Sequence, residues 1–210
     1  MERPGPGLEG PAPGGESTGE RLRQIQPRLR TPRLRLRPFV AEDADTVQVL
    51  AAERRVADTT LNIPHPYPDG AAASWIATHG PRFMAGEDAV FAVTSGSEGL
   101  VGAIGLNLAL AHHRGELGYW IGSAFWNRGY ATEACHALLW YGFECLLLNR
   151  IQATYFTRNS ASGRVMQKIG MRFEGQSVQY LFRGGRFEDI GRYAMLRDQY
   201  GGAPWPVLVE

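Results

Sequence analysis

A glycine turn that joins an apolar segment to a strongly helical one is the first place where this sequence could bind a ligand. It reads Trp126-Asn127-Arg128-Gly129-Tyr130-Ala131-Thr132. Because Gly129 lacks a Cβ and Ala131 is small, an anion could approach the free backbone N–H groups of the helix start. Arg128 and the Thr132 hydroxyl would assist. The alternative is that Gly129 simply permits a tight turn.

Other nucleotide-binding motifs do not occur in the sequence. Lys168 is the only lysine, and Gln167 precedes it, so no Gly-Lys-Ser/Thr exists to grip a γ-phosphate. No Gly-x-Gly-x-x-Gly follows a predicted strand. Kinase-like and Rossmann-type nucleotide binding are therefore not indicated.

Metal-ligating side chains do not cluster in the sequence either. Cys135 and Cys145 would lie about 15 Å apart on one helix, too far for a mutual disulfide. The five histidines form no pair at ligand spacing with each other or with the cysteines. We therefore expect buried thiols and no metal.

Composition limits the protein class. The chain has 210 residues, of which 44% are apolar, as expected for one globular core. With 22 basic and 21 acidic residues, the formal charge of +1 makes a nucleic-acid partner improbable. Only a local arginine patch on the first predicted strand leaves that alternative open. We expect no membrane span and no secretory signal, and hence a cytoplasmic protein.

The sequence pattern divides the chain into a tail, one domain and a short extension. Half of the first twenty residues are Gly or Pro, which predicts a disordered tail over residues 1–28. Residues 29–200 form the predicted domain, and residues 201–210 a C-terminal extension. The predicted strands are 34–38, 89–94, 100–110, 116–121 and 151–157, followed by a hairpin over 173–193 around Gly184-Gly185. The predicted helices are 43–55, 71–84, 131–146 and 160–169.

This order of elements predicts an α/β fold, with a mixed, mostly antiparallel sheet flanked by helices. The helix over 131–146 separates two strands, which makes a parallel crossover at the centre of the sheet. In the strand 116–121, Glu116 and Trp120 share one face, while Tyr119 and Ile121 share the other. One face of the strand beside the crossover therefore carries a carboxylate.

Four separated stretches, in this order, carry a resemblance to a known family. They are Ile63-Pro64-His65-Pro66-Tyr67, Gly115-Glu116-Leu117-Gly118-Tyr119-Trp120-Ile121, Trp126-Asn127-Arg128-Gly129-Tyr130-Ala131-Thr132-Glu133-Ala134, and Asn159-Ser160-Ala161-Ser162-Gly163-Arg164-Val165 running to Ile169-Gly170-Met171. A weaker fifth is Gly185-Arg186-Phe187-Glu188-Asp189. Over roughly residues 30–198 the chain resembles the GNAT superfamily of acetyl-CoA-dependent N-acetyltransferases, in the Rim-type branch that includes ribosomal-protein alanine acetyltransferases.

The resemblance implies acetyl-CoA as co-substrate. Its pyrophosphate would be held by Arg128, Gly129, Tyr130, Ala131 and Thr132. Backbone groups of Trp120 and Ile121 would pair with the pantetheine arm, where the family's two parallel strands splay apart and leave a donor for the thioester oxyanion. The side-chain amide of Asn159 would contact the pantetheine. Asn159 could instead be a turn residue at a strand end.

The chemistry also requires a base, since an amine with a pKa near ~10 is mostly protonated at neutral pH. Glu116 is the candidate, and the alternative is a solvated glutamate that merely attracts a cation. His112 and His113 are the next candidates. Many relatives carry a tyrosine seven residues after the asparagine, as the acid for the leaving thiolate, but this chain has Met166 there.

Met166 leaves Ser162 as a hydrogen-bond donor to the sulfur, unless Ser162 only caps its helix. The acceptor groove would lie between residues 63–67 and the last hairpin. His65, Tyr67 and Asp189 would line it, although Tyr67 could simply pack the loop onto the core.

The function predicted from these residues is direct acetyl transfer through a ternary complex. The acceptor is a primary amine, either a protein N-terminal α-amine or a small-molecule amine. The alternative is a non-catalytic acyl-CoA-binding sensor or interaction module, to which Met166 lends some weight. The oligomeric state stays open, a homodimer included.

Overall fold

The structure, a computed structural model, describes residues 26–210. Residues 1–25 of the predicted tail lie outside the described residues. The described chain forms one mixed sheet of nine strands in the order β7-β8-β6-β5-β4-β3-β2-β1-β9. The strands are β1 (Leu29–Arg30), β2 (Leu34–Arg37), β3 (Asp88–Ser95), β4 (Gly99–Ala109), β5 (Arg114–Ile121), β6 (Arg150–Phe156), β7 (Arg172–Arg183), β8 (Arg186–Leu196) and β9 (Leu208–Val209).

The strand pairing confirms the predicted fold class. Within the described residues, every pair of neighbouring strands is antiparallel except β5 and β6. The chain crosses between these two through a helix, as a parallel connection requires. The predicted last hairpin is also present, and its two turn residues Gly184 and Gly185 both have positive φ, at 57° and 82°.

Five α-helices flank the sheet in the described part of the chain. They are α1 (Ala44–Ala52), α2 (Arg54–Ala57), α3 (Ala71–Met84), α4 (Tyr130–Trp140) and α5 (Ser160–Lys168). The single helix predicted over 43–55 is wrong, because Glu53 adopts an extended conformation with ψ 121° and separates α1 from α2. The Glu53 carboxylate accepts a hydrogen bond from the Ser123 hydroxyl, a long-range contact that sequence periodicity does not report.

The helix predicted over 131–146 also differs at its end. The α-helical part stops at Trp140, and one π-helical turn, Tyr141–Cys145, follows. Gly142 lies in this turn, and a Cβ there would be only 2.5 Å from Cδ1 of Ile151 on β6. The missing side chain thus lets the end of this helix pack directly against the strand.

Both faces of the sheet are covered by apolar side chains. A larger cluster joins α4 to the sheet and includes Phe91, Val93 and Leu138. A smaller cluster joins α1 and α3 to the other face and includes Val47 and Ala92. The alternation of Phe91, Ala92 and Val93 between the two clusters is the period of two that a doubly covered strand requires. Each face of the sheet is therefore covered by its own cluster, and a site at the β5–β6 crossover can be reached from either face.

The two ends of the described chain meet at one sheet edge. β9 pairs with β1, and the backbone N–H of Glu210 donates to the carbonyl of Arg28 at 2.9 Å. The segment 201–210, predicted as an extension, thus ends as an edge strand of the sheet. Among residues 26–210, no helix has both the length and the apolar character needed to cross a membrane.

Candidate active site

Strands β5 and β6 diverge at the centre of the sheet. They share three register pairs, the last of which joins Glu116 to Gln152. Beyond this point β5 continues beside β4 as far as Ile121, while β6 continues beside β8 as far as Phe156. The facing edges beyond Glu116 therefore have no strand partner in the described chain. An extended ligand arm could pair with them as another strand would.

Glu116 lies where the two strands separate, and side chains of β6 hold its carboxylate. The Thr154 hydroxyl donates to Oε1 at 3.0 Å, and the Gln152 amide donates to Oε2 at 3.3 Å. The side chain is only partly buried, so it can be reached from the gap. His112 and His113, the other predicted bases, are exposed at the far end of β5, before its first residue.

Ser162 lies on the opposite side of β5 from Glu116. Its hydroxyl is 3.0 Å from the hydroxyl of Tyr119, which the alternation of β5 directs away from Glu116. Burial raises the pKa of Tyr119, and the nearby Cys135 raises it further, whereas the hydrogen bond from Ser162 opposes the shift. The Tyr119 phenol thus stays protonated and can donate a hydrogen bond.

Asn159 caps helix α5 with its side chain. Its Oδ1 accepts a hydrogen bond from the backbone N–H of Ser162 at 3.3 Å, which holds the first turn of the helix in place. Among residues 26–210, no acceptor contacts its amide nitrogen. Met166 is 1% exposed and belongs to the larger apolar cluster, so this position supplies packing and no acid.

The glycine turn before α4 has the backbone of an anion-binding loop. Asn127 and Gly129 both have positive φ, at 61° and 81°, and Gly129 is the N-cap of the helix. The N–H groups of the first helical turn, which includes Ala131 and Thr132, have no acceptor within the helix. The Tyr130 side chain is buried in the core, so only its backbone is available to a ligand at this loop.

An ion pair from Arg33, the residue just before β2, holds this loop, and the sequence patterns above do not predict it. Glu133 on α4 is 3% exposed and accepts hydrogen bonds from Nε of Arg33 at 2.6 Å and from the hydroxyl of Thr31 at 2.6 Å. Arg33 also donates to the Arg128 carbonyl at 2.9 Å. Arg33 is thus tied to the start of α4 through partners about a hundred positions away. Local spacing gives no signal for such a contact.

The other arginines near this edge are also engaged. Arg128 pairs with Glu98 at 2.8 Å and donates to the Ala124 carbonyl at 3.2 Å. Arg37 on β2 forms two bonds of 2.7 Å to Asp43. With Arg33 and Arg37 paired to carboxylates, the arginine patch that could bind nucleic acid is largely neutralised.

Trp120 and Ile121 complete the edge of β5 next to the gap. The Trp120 side chain packs on the smaller apolar cluster, whereas the Ile121 side chain belongs to the larger one. The Ile121 carbonyl accepts a hydrogen bond from the Trp126 indole at 2.6 Å. This bond ties the end of β5 to the glycine turn, so the gap and the loop are held in one arrangement.

The three predicted acceptor residues have different surroundings. His65 lines a cavity of about 550 Å³ beside the tip of the β7–β8 hairpin. Tyr67 packs against the smaller apolar cluster, and burial raises its pKa. The Asp189 carboxylate accepts hydrogen bonds from the Gln176 amide at 2.9 Å and from the backbone of Gln179 at 2.7 Å, and so supports the irregular middle of β7.

The Cys135 thiol does not suit covalent catalysis. Cys135 is fully buried in α4, and burial raises its pKa, so the thiol stays protonated. No disulfide joins it to Cys145, which the structure also describes. In residues 26–210, no three His, Cys, Asp or Glu side chains lie together as metal ligands.

Comparison with known sequences identifies one family over most of the chain. The family model for the acetyltransferase (GNAT) domain matches residues 33–172. The uncharacterized N-acetyltransferase p20 of Bacillus licheniformis is 30% identical over 177 residues, which cover 83% of this chain and 98% of p20. The uncharacterized N-acetyltransferase YoaA of Bacillus subtilis is 39% identical over 99 residues, covering 47% of this chain. This chain therefore spans only 56% of the length of YoaA.

A third relative comes from the Rim-type branch. It is the [ribosomal protein uS5]-alanine N-acetyltransferase of Escherichia coli, 32% identical over 77 residues that cover 37% of this chain and 40% of that protein.

Solved structures share the fold over most of the described chain. A GNAT-family acetyltransferase from Bacillus anthracis superposes with a TM-score of 0.72 at 30% identity, covering 81% of this chain and 99% of that one. RimJ from Mycobacterium smegmatis, in complex with a coenzyme A disulfide, gives a TM-score of 0.74 at 23% identity, with 85% and 93% covered. The chain belongs to the GNAT family of acetyltransferases, in its Rim-like branch.

Proposed function

We propose that this chain transfers an acetyl group from acetyl-CoA to a primary amine, by direct attack in a ternary complex. The observation that carries the proposal is the divergence of β5 from β6 at Glu116. It combines, at one point, unpaired strand edges that suit an extended thioester arm and a carboxylate that suits a base. A non-catalytic acyl-CoA binder would need the edges but not the carboxylate.

The residues around the gap fit coenzyme A. The free N–H groups at the start of α4 and the positive φ of Gly129 suit the pyrophosphate. We assign this role to the loop from Arg128 to Thr132, with Arg128 leaving Glu98 to reach the anion. Backbone groups of Trp120 and Ile121 would pair with the pantetheine, and the Asn159 amide nitrogen would donate to it.

In this proposal Glu116 takes the proton of the attacking amine, directly or through one water. The neutral donors Thr154 and Gln152 orient its carboxylate without removing its ability to accept a proton. Backbone N–H groups on the open edge of β5 donate to the thioester oxygen as negative charge grows there.

On the other side of β5, the linked hydroxyls of Ser162 and Tyr119 supply a hydrogen bond to the departing sulfur. Tyr119 is the addition that the structure makes to the predicted site. Tyr119 takes over the acid role of the family tyrosine whose position is Met166 here. Its protonated phenol reaches Ser162 from β5, whereas the family tyrosine would lie on α5.

The proposed acceptor is a primary amine. A protein N-terminal α-amine is supported by the relative named for its action on the alanine of ribosomal protein uS5. A small-molecule amine would enter by the same route, between residues 63–67 and the last hairpin.

The proposal is tested by calorimetric titration of the protein with acetyl-CoA, followed by thiol release across N-terminal peptides and small amines. We expect micromolar binding and thiol release with one acceptor class. Binding without release on any acceptor would favour the acyl-CoA sensor. Absence of binding would contradict the role assigned to the loop before α4.

A further inference from the structure

A cavity rich in arginine lies beside the candidate active site. It has a volume of about 550 Å³ and lies between α2, the loop that follows it and the tip of the last hairpin. Its lining residues are Arg54, Asp58, Pro64, His65, Arg158, Arg183, Gly184, Arg186 and Glu188. The four arginines outnumber the two carboxylates, so the lining carries excess positive charge. Such a lining suits an anionic ligand group.

Two of these guanidinium groups are already fixed in place. Arg183 donates to the carbonyls of Leu61 at 3.0 Å and Ile63 at 2.7 Å. Arg158 donates to the carbonyl of Asp58 at 2.6 Å and to the Glu188 carboxylate at 2.8 Å. Among residues 26–210, no acceptor contacts Nη1 of either arginine. Each thus offers an oriented donor without further loss of side-chain freedom.

The charge of Arg183 is not compensated locally. Glu188, 5% exposed, is bonded to Arg158 and to Arg186 at 2.7 Å. These two arginines lower the pKa of Glu188, which therefore stays ionised and offsets part of their positive charge. Arg183 has only neutral carbonyls as partners. Both Arg158 and Arg183 lie over the Phe156 ring, at 4.9 and 5.9 Å from its centre, so the two cations share one small region.

The cavity lies on the Glu116 side of the sheet. Glu116 contacts Gln152 and Thr154, and strand alternation puts Phe156 on the same face as both. From Thr154 to Phe156 the strand advances about 7 Å. A ligand whose amine lies at Glu116 could thus extend along β6 and bring a group of its own to Arg183.

We propose that this cavity binds an anionic group, a carboxylate or a phosphate, carried on the part of the amine acceptor that extends along β6 from its reacting nitrogen. The inference rests on the proposed acetyl transfer and adds a substrate class to it. The shared chemistry is that of an oxyanion bound by guanidinium donors.

The test compares three acceptors that differ in one side chain, of which the glutamate and glutamine peptides have nearly the same shape and differ in charge. They are tripeptide amides with alanine at both ends and glutamate, phosphoserine or glutamine in the middle. We expect the wild-type protein to use the glutamate or phosphoserine peptide with a kcat/KM about 10-fold or more above that of the glutamine peptide. Which charged peptide is preferred tells the carboxylate source from the phosphate source.

Arg183→Gln should reduce this preference to about 3-fold or less, while Arg164→Gln should preserve it. Arg164 is an exposed arginine on α5 whose side chain donates a hydrogen bond to the Ser160 hydroxyl at 3.0 Å. The ratio between peptides is the readout, because a loop displaced by the loss of Arg183 would lower the kcat/KM of all three peptides together. Arg186→Gln removes a hydrogen bond to Glu188 and one positive charge from the lining, and we expect it to reduce the preference as Arg183→Gln does.

Failure of this inference can be distinguished from failure of the proposed function. Equal wild-type kcat/KM for all three peptides would overturn the anionic site and leave acetyl transfer standing. If no peptide releases thiol, the same peptides are titrated into the protein saturated with coenzyme A. Binding of a charged peptide but not the glutamine peptide would support the cavity without the transfer, and binding of none would overturn it.

Discussion

Glu116 is held by partners of a different kind from those of Glu188 and Glu174. Glu188 and Glu174 are bonded to arginines, which lower the pKa of each carboxyl and make it a poorer base. Glu116 is held by a hydroxyl and an amide, both neutral. A carboxylate held in one orientation at the gap is placed to meet an incoming ammonium group.

Replacement of this carboxyl is the direct test at the residue scale. We expect Glu116→Gln to lower kcat by about 10²-fold, because the amide cannot take the proton of the amine. The calorimetric Kd for acetyl-CoA should stay within about 2-fold of the wild-type value, because the loop before α4 is unchanged. Glu42→Gln, at an exposed glutamate in the turn before α1, is the matched control. An unaltered kcat in Glu116→Gln would remove this residue from the mechanism.

At the scale of elements, helix α3 buries a histidine that can be charged. His79 is 5% exposed and packs between the rings of Phe39 and Trp75. Within residues 26–210 neither of its ring nitrogens has a hydrogen-bond partner. Burial lowers the pKa of His79 from 6.5 to about 4, although the nearby Asp88 opposes this shift.

This shift predicts a loss of stability as the pH falls. The neutral ring suits the folded state, so its contribution is complete above pH 6.5 and is lost between pH 6.5 and about 4. The free energy of unfolding should fall by at most about 3 kcal/mol over this range. Urea unfolding at several pH values measures it. The carboxylates with lowered pKa act mainly below this range.

A variant isolates the contribution of His79, because His136 also has a pKa lowered by burial. In His79→Leu the slope between pH 6.5 and 4 should be smaller than in the wild type. His112→Gln, at an exposed position, should keep the wild-type slope. Equal slopes in wild type and His79→Leu would show that His79 is charged in the folded protein or does not affect stability.

Elements with a local signal could be predicted from the sequence, and those set by distant contacts could not. The Gly184-Gly185 turn and the helix predicted over 160–169 are determined by neighbouring residues, and both features are present. The break at Glu53 depends on Ser123, which is 70 positions away. Periodicity in α1 contains no trace of that contact.

The candidate site divides in the same way. The loop before α4 and the carboxylate on β5 could be found from residue types and strand alternation. Tyr119 was placed on the correct face, but its link to Ser162, 43 positions away, forms only when α5 packs on β5. Arg33 and Glu133 meet across 100 positions. Such pairs need the whole sheet to be assembled.

At the scale of the whole molecule, the gap is a place where the sheet is incomplete. β5 with β1 to β4 and β9 forms one side, and β6 with β7 and β8 forms the other, joined directly by three register pairs. A ligand arm that pairs with both edges would complete the sheet, and its phosphates would be anchored at α4. Binding should therefore stabilise the folded molecule as a unit.

Acetyl-CoA at about 100 times its Kd should add about 2.7 kcal/mol to the free energy of unfolding, a rise in Tm of about 5–10 °C for a domain of this size. Gly129→Ala should abolish most of this rise, because the new Cβ intrudes at the phosphate loop. Gly170→Ala is a closely matched control. Gly129 has a φ of 81°, and a Cβ there would lie 3.2 Å from Nη2 of Arg33. Gly170 has a φ of 83°, and a Cβ there would lie 3.3 Å from Cε of Met195.

Both glycine variants should lose similar intrinsic stability, because both force a side chain into the left-handed region. Only Gly170→Ala should keep the full ligand-induced shift when both are followed by differential scanning fluorimetry. The same shift in both variants would place the phosphates away from the start of α4. Glu116→Gln should also keep the full shift, since the base contributes to turnover and the loop to affinity.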